Sequence, residues 1–127
     1  MLPTSPPRRA TGTNTADRMS AMPMTGAVIV TTPQDIALLD ARKGVEMFRK
    51  VDIPVLGVVE NMALFCCPNC GHETPIFGSG GGARIASECG TPLLGQLPLD
   101  LRIREQADGG TPTVASDPEG SLAGIYR

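Results

Sequence analysis

The strongest constraint on this chain lies in residues 26–59. After Gly26 comes the apolar run Ala27-Val28-Ile29-Val30, and a second run, Ile53-Pro54-Val55-Leu56-Gly57-Val58-Val59, follows a polar interval. Short β-branched runs without polar alternation read as buried strands of a parallel sheet, with the first placed centrally. Parallel strands need a long crossover, and the interval supplies a helix for it. Thr31-Thr32-Pro33-Gln34-Asp35 predicts the helix start. Thr32 serves as N-cap, Pro33 takes the first helical position and Asp35 completes a capping box. From there to about Lys50, Leu38, Ala41, Val45 and Phe48 share one face. Asp40, Arg42, Lys43, Glu46, Arg49 and Lys50 mostly take the others. Gly44 costs about 1 kcal/mol relative to Ala, tolerable where a helix lies close on a sheet. Strand, helix and strand make a βαβ unit with an expected right-handed crossover.

Further along, Gly80 to Gly90 reads as a glycine-rich turn into a short helix with a glycine stop. Pro92-Leu93-Leu94-Gly95-Gln96-Leu97 reads as a third parallel strand, and Leu99 to Ala107 as one or two helical turns. Residues 1–24 are rich in Pro, Thr, Ser and Arg without an apolar period, and are expected to be irregular or disordered. Residues 25–127 are then an α/β unit, a partial parallel sheet with flanking helices. Three strands are few for an independent doubly wound domain. With three Phe, one Tyr and no Trp, the core must rest on Val, Ile, Leu and Ala. A net charge of −2 provides no electrostatic footprint for nucleic acid or an acidic membrane surface. No apolar run approaches the ~20 residues that span a bilayer. Arg8 and Arg9 precede no apolar stretch of a secretory signal, so the expected compartment is the reducing cytoplasm.

In that compartment clustered cysteines bind metal or do redox chemistry. Cys66, Cys67 and Cys70 fall within five positions, and Cys89 stands apart. In Cys67-Pro68-Asn69-Cys70-Gly71 the proline sets the turn and Gly71 can take a positive φ. Such a turn aims both sulfurs inward and lets backbone N–H groups donate to them, as in zinc ribbons and iron–sulfur sites. Cys66 is expected to point away. Three readings stay open: a metal site, a redox dithiol, or inert buried thiols. Zinc within one chain would need His72 and Cys89 to complete the set, and a metal shared between chains would not. A thioredoxin-like reading is weakened because the pair follows a loop rather than opening a long helix.

Gly78-Ser79-Gly80-Gly81-Gly82 precedes a helix, which raises a phosphate cradle. It lacks the Gly-Lys-Ser/Thr ending of a P-loop, and Lys43 and Lys50 are the chain's only lysines. The favoured reading is a flexible link returning the cysteine segment to the sheet. Asn61 follows the second strand, and Leu97-Pro98-Leu99-Asp100 follows the third, where strand ends line the ligand crevice of α/β sheets. Asn61 is suited equally to bonding a nucleobase and to shaping a turn.

The segments GAVIVTTPQDIALLDARKGVEMF, IPVLGVVENM, CPNCGHETPIFGSGGG, PLLGQLPLDLRIRE and DGGTPTV, in this order, closely resemble the C-terminal half of the Mrp/ApbC family of iron–sulfur cluster carrier ATPases, deviant-Walker P-loop NTPases. The resemblance covers residues 23–127. It implies a homodimer bridging a [4Fe–4S] cluster through Cys67 and Cys70 of each subunit, with apo iron–sulfur proteins as recipients. It also implies ATP with Mg²⁺, whose adenine is flanked by Asn61, Pro98, Leu99 and Asp100. Cys66 falls where the family does not require cysteine. The family's Walker A motif and two switch motifs are not intact here, although Pro6-Pro7 and Thr11-Gly12 faintly resemble the second switch. The expectation is therefore a fragment without ATPase activity of its own, poorly soluble through an exposed strand edge and apolar faces. The alternative is a zinc-knuckle or non-catalytic interaction fragment, including a truncated nonfunctional product.

Overall fold

The structure, a computed structural model, describes residues 23–127. The expected irregular segment 1–24 lies outside them except for Pro23 and Met24, which carry no regular structure. In chain order the elements are β1 (Ala27–Thr31), α1 (Asp35–Lys50), β2 (Val55–Glu60), β3 (Phe65–Cys66), β4 (Glu73–Thr74), α2 (Gly81–Glu88), β5 (Leu93–Gln96), α3 (Leu101–Asp108), α4 (Thr113–Ser116) and α5 (Ser121–Ile125). β1, β2 and β5 form a parallel sheet in that spatial order, with Ile29 beside Val58 and Val58 beside Leu93. β3 and β4 form a separate antiparallel hairpin inside the cysteine segment, an element that no sequence periodicity announced.

The apolar face of α1 is the one its spacing predicts. Leu38, Ala41 and Val45 are buried, Phe48 packs beside them, and Ile29, Val58, Ile85 and Ala86 complete the core. Fully burying a side chain of this size stabilises the fold by roughly 2 kcal/mol. Arg42 grips Glu88 through two hydrogen bonds of 2.8 and 3.2 Å, and Arg49 donates to the Cys89 carbonyl at 2.8 Å. Both links fasten α1 to α2 on the same side of the sheet.

Among the described residues the other side of the sheet is uncovered and the first strand is not the central one. Among them β1 is an edge strand covered on one face only, with Val28 and Val30 45% and 61% exposed. Leu56 and Leu94 are about half exposed beside them. A uniform apolar run marks a strand that can be covered on both faces. It cannot say whether helices lie on both.

The helix start is also different from the expected one. Asp35 is the first helical residue and Gln34 its N-cap, with an extended backbone and no side-chain cap bond. The Thr32 hydroxyl donates to Gln34 Oε1 at 3.0 Å, so no capping box forms. Pro33 sits outside the helix, buried beneath the glycine run. A Cβ at Gly44 would meet Ile29 Cδ1 at an ordinary 3.7 Å, so close packing does not demand glycine there. The glycine stop after α2 is present, with Gly90 at φ 66. α3 begins at Leu101, two residues after the expected start, because Asp100 caps it by accepting from Arg102 N at 2.9 Å.

A candidate metal centre at the cysteine hairpin

The hairpin is a short stalk with the cysteine turn at its tip. Phe65 faces Thr74 and Cys66 faces Glu73 across the two strands. Above them Cys67 N donates to His72 O at 2.9 Å, and Gly71 N donates to Cys67 O at 2.9 Å. Gly71 has φ 74, a conformation in which a side chain would be strained, so the turn needs glycine there. The stalk is fixed to the sheet end by Leu99 N to Leu64 O at 2.7 Å and by a parallel bridge between Phe65 and Leu99.

At the tip the thiols diverge in character. The backbone N–H of Cys70 holds the Cys67 thiol below its ordinary pKa, assisted by Asn69 N–H and the Cys70 thiol, and opposed by slight burial. Donors aimed at one sulfur stabilise its thiolate, the form that binds metal. Cys66, one residue earlier on the stalk, turns towards Glu73, with Sγ 3.9 Å from Oε1. Burial pushes its pKa up, and the Glu73 and Asp100 carboxylates push further. The two neighbours are thus poised oppositely, one towards thiolate and one towards thiol.

Among the described residues, no three His, Cys, Asp or Glu side chains converge as a metal site. A single-chain zinc set with His72 and Cys89 therefore does not assemble. Cys89 caps α2 and packs against the apolar core beside Phe48, Val55 and Leu93, while His72 is exposed beside the turn. Spacing in sequence suggested the set, but α2 carries Cys89 to the opposite task.

The expected nucleobase contacts are placed as follows. Asn61 N donates to Thr31 O at 2.7 Å, and Asn61 Oδ1 accepts from Met62 N at 2.9 Å. Met62 is left-handed at φ 54, so Asn61 shapes the tight turn that leaves β2. Asp100 is 7% exposed and bound by Arg102 through Nε and Nη2 at 3.1 and 2.9 Å. The Arg102 guanidinium holds its carboxyl below the usual carboxylate range, overcoming burial. Pro98 and Asp100 line a cavity of about 330 Å³ with Ala63, Leu64 and Cys66. Asp100 and Arg102 border a second cavity, of about 430 Å³, with Cys66, Cys67 and Gly71. The structure thus brings the Pro98–Asp100 segment against the cysteine hairpin, and Asn61 lines neither cavity.

The glycine run returns the cysteine segment to the sheet, as its reading as a link expects, and does so in close contact with the sheet end. Gly78 and Gly80 are left-handed at φ 97 and 75. A Cβ on Gly81 would lie 2.7 Å from Pro33 O, and one on Gly82 2.5 Å from Glu60 Oε2. These glycines let the start of α2 settle directly onto the sheet end. One N–H that a cradle would offer to phosphate is taken, since Gly82 N donates to Glu60 Oε2 at 2.8 Å. Glu60 and Arg102 escaped the sequence reading. The available signal for Glu60 was a charge closing an otherwise apolar strand.

Over residues 4–127 the chain matches the family model described as ParA: NUBPL iron-transfer P-loop NTPase. An iron–sulfur cluster carrier protein of Pseudomonas fragi is 62% identical over 106 residues, 84% of this chain and 37% of that protein. The mouse iron–sulfur cluster transfer protein NUBPL is 54% identical over 105 residues, 83% of this chain and 33% of that protein. Among solved structures, a nucleotide-binding protein of Archaeoglobus fulgidus in complex with ADP aligns with a TM-score of 0.64 at 33% identity, covering 81% of this chain and 41% of that one. The chain spans about a third of the length of these curated relatives. Among the described residues no helix is long and apolar enough to cross a membrane.

Proposed function

The chain belongs to the NUBPL iron-transfer P-loop NTPase family, and on that premise we propose that it carries an iron–sulfur cluster as cargo, a [4Fe–4S] cluster held between two copies by Cys67 and Cys70 of each. One observation carries the reading: two thiols share a turn whose N–H groups favour the thiolate of Cys67, and among the described residues no third ligand joins them. A four-iron cluster takes four thiolates. One turn is half of that set, and a two-fold related copy supplies the other half. The names of the relatives, carrier and transfer proteins, agree with cargo rather than a resident group.

Exposure suits delivery. An incoming thiolate of an apo iron–sulfur protein binds an iron as a carrier thiolate leaves, a ligand exchange with no net redox change. Two ligands per chain at a tip are reached more readily than four buried ones. Cys66 keeps its proton through burial beside Glu73 and stays outside the ligand set.

The family's nucleotide, ATP with Mg²⁺, enters the proposal through the strand-end crevice. On this reading Pro98, which lines the cavity beside the hairpin, and Leu99 next to it flank the adenine, with the Asn61 amide at the neighbouring end of β2 as a donor. Asp100 is committed to Arg102 and the α3 cap, so it shapes the loop rather than bonding the base. No described side chain is assigned to the phosphates.

Anaerobic reconstitution followed by iron counting tests the cargo reading. It expects about two irons per chain, thiolate-to-iron charge-transfer absorbance, and a dimer that forms with the cluster. Stoichiometric zinc in place of iron, or iron retained by a monomer, would overturn it.

A further inference from the structure

Residues 61–81 leave the sheet at the end of β2, carry the cysteine turn and return at the start of α2. The two ends of that excursion meet at Glu60. The outbound leg is held by main-chain bonds: Asn61 N to Thr31 O at 2.7 Å, Ala63 N to Leu97 O at 2.9 Å and Leu99 N to Leu64 O at 2.7 Å. Beyond β4 the return leg has, among the described residues, only the local bonds Ile76 N to Thr74 O and Gly78 N to Pro75 O. It is caught next at Gly82, whose N–H donates to the Glu60 carboxylate at 2.8 Å.

Glu60 is placed to hold both legs. Its carbonyl accepts from Leu97 N at 2.7 Å, tying the ends of β2 and β5 together. Its carboxylate lies at the N-terminus of α2, where unpaired N–H groups and the helix dipole favour negative charge. The side chain is 1% exposed, at the end of a strand whose inward neighbour Val58 is wholly buried. Burying a carboxylate is costly, and an apolar residue would fill the same space with less penalty. A carboxylate there therefore does something that packing alone does not, and its bond to Gly82 is what it does.

We propose that Glu60 is a positioning residue for the cysteine turn: by gripping Gly82 it restrains the return leg, and so sets how long Cys67 and Cys70 keep their cargo. The inference rests on the cargo reading above. Loss of the grip frees residues 75–82 while the outbound leg stays anchored. The stalk then sways from one side, and the thiols release iron faster.

The test uses the full chain in two states. In the metal-free protein, Glu60→Ala is expected to raise amide hydrogen exchange over residues 75–84 about tenfold, with the strand interior 57–59 unchanged. Glu60→Gln keeps an acceptor oxygen and is expected to restore most of the protection. In the reconstituted protein, iron loss to a ferrous chelator accelerates by a similar factor in Glu60→Ala and by much less in Glu60→Gln. Wild-type exchange and release in Glu60→Ala, or equal acceleration in both variants, overturns the proposal. Should Glu60→Ala not fold, Glu60→Asp withdraws the carboxylate by one methylene while keeping its charge. Faster exchange over 75–84 in that variant supports the grip, and wild-type exchange overturns it. A wild-type chain that takes up no iron overturns the cargo reading and the release arm with it. The exchange arm still decides whether Glu60 holds the return leg.

Discussion

Replacing Gly82 with alanine sets a methyl group where Glu60 already lies. A Cβ at Gly82 falls 2.5 Å from Glu60 Oε2, 2.7 Å from its Cβ and 3.2 Å from its Cγ, against ordinary contact from 3.4 Å upwards. The gap must open by roughly 1 Å. The carboxylate can swing away, but the Glu60 Cβ cannot, because β2 is bonded to strands on both sides. Three effects compete. Alanine is preferred over glycine in a helix by about 1 kcal/mol. Overpacking opposes it by about 1–3 kcal/mol, and losing the Gly82–Glu60 bond opposes it by about 1–2 kcal/mol more. The expected net is a destabilisation of about 2 kcal/mol, visible in urea as a midpoint about 1–2 M lower at unchanged slope. Glu60→Ala removes the carboxylate and Cγ but keeps the Cβ, so it relieves part of the overlap, and the bond to Gly82 can be lost only once. The double variant should therefore be less destabilised than the two single changes summed, by about 1 kcal/mol. A midpoint raised by Gly82→Ala, as helix propensity alone requires, or strict additivity in the cycle, would refute the close packing.

Cys67→Ala and Cys70→Ala should each abolish iron retention after reconstitution, while Cys66→Ala and Cys89→Ala should keep about two irons per chain, as counted by a colorimetric iron assay. Asp100 has a folded-state pKa below its unfolded one, chiefly through Arg102. The stability it confers is therefore present above about pH 4 and is lost as pH falls through the lower folded value. Asp100→Asn should flatten the acid limb of a stability profile followed by circular dichroism, and an unchanged limb would refute the pairing. Leu38→Ala removes a side chain 1% exposed at the centre of the core. It should lower unfolding free energy by about 3 kcal/mol in urea titration.

What the sequence determined by itself is what neighbours along the chain decide. The helical spacing of Leu38, Ala41, Val45 and Phe48 named the buried face of α1 correctly. Pro68 and Gly71 specified a turn that pairs Cys67 with Cys70, because turn geometry depends on a few consecutive residues. The motif order was specific enough for the family, which the relatives then showed. Tertiary structure decided what depends on partners far along the chain. It made β1 a half-covered edge strand among the described residues, since an apolar run does not say how many helices will meet it. It drew Cys89 into the core, although its spacing from Cys70 fitted a ligand set. It set the glycine run to close packing under Glu60, an outcome that rests on one contact of a few ångströms. That contact joins residues 22 positions apart, beyond the reach of periodicity, capping or turn chemistry, and only the folded sheet brings them together.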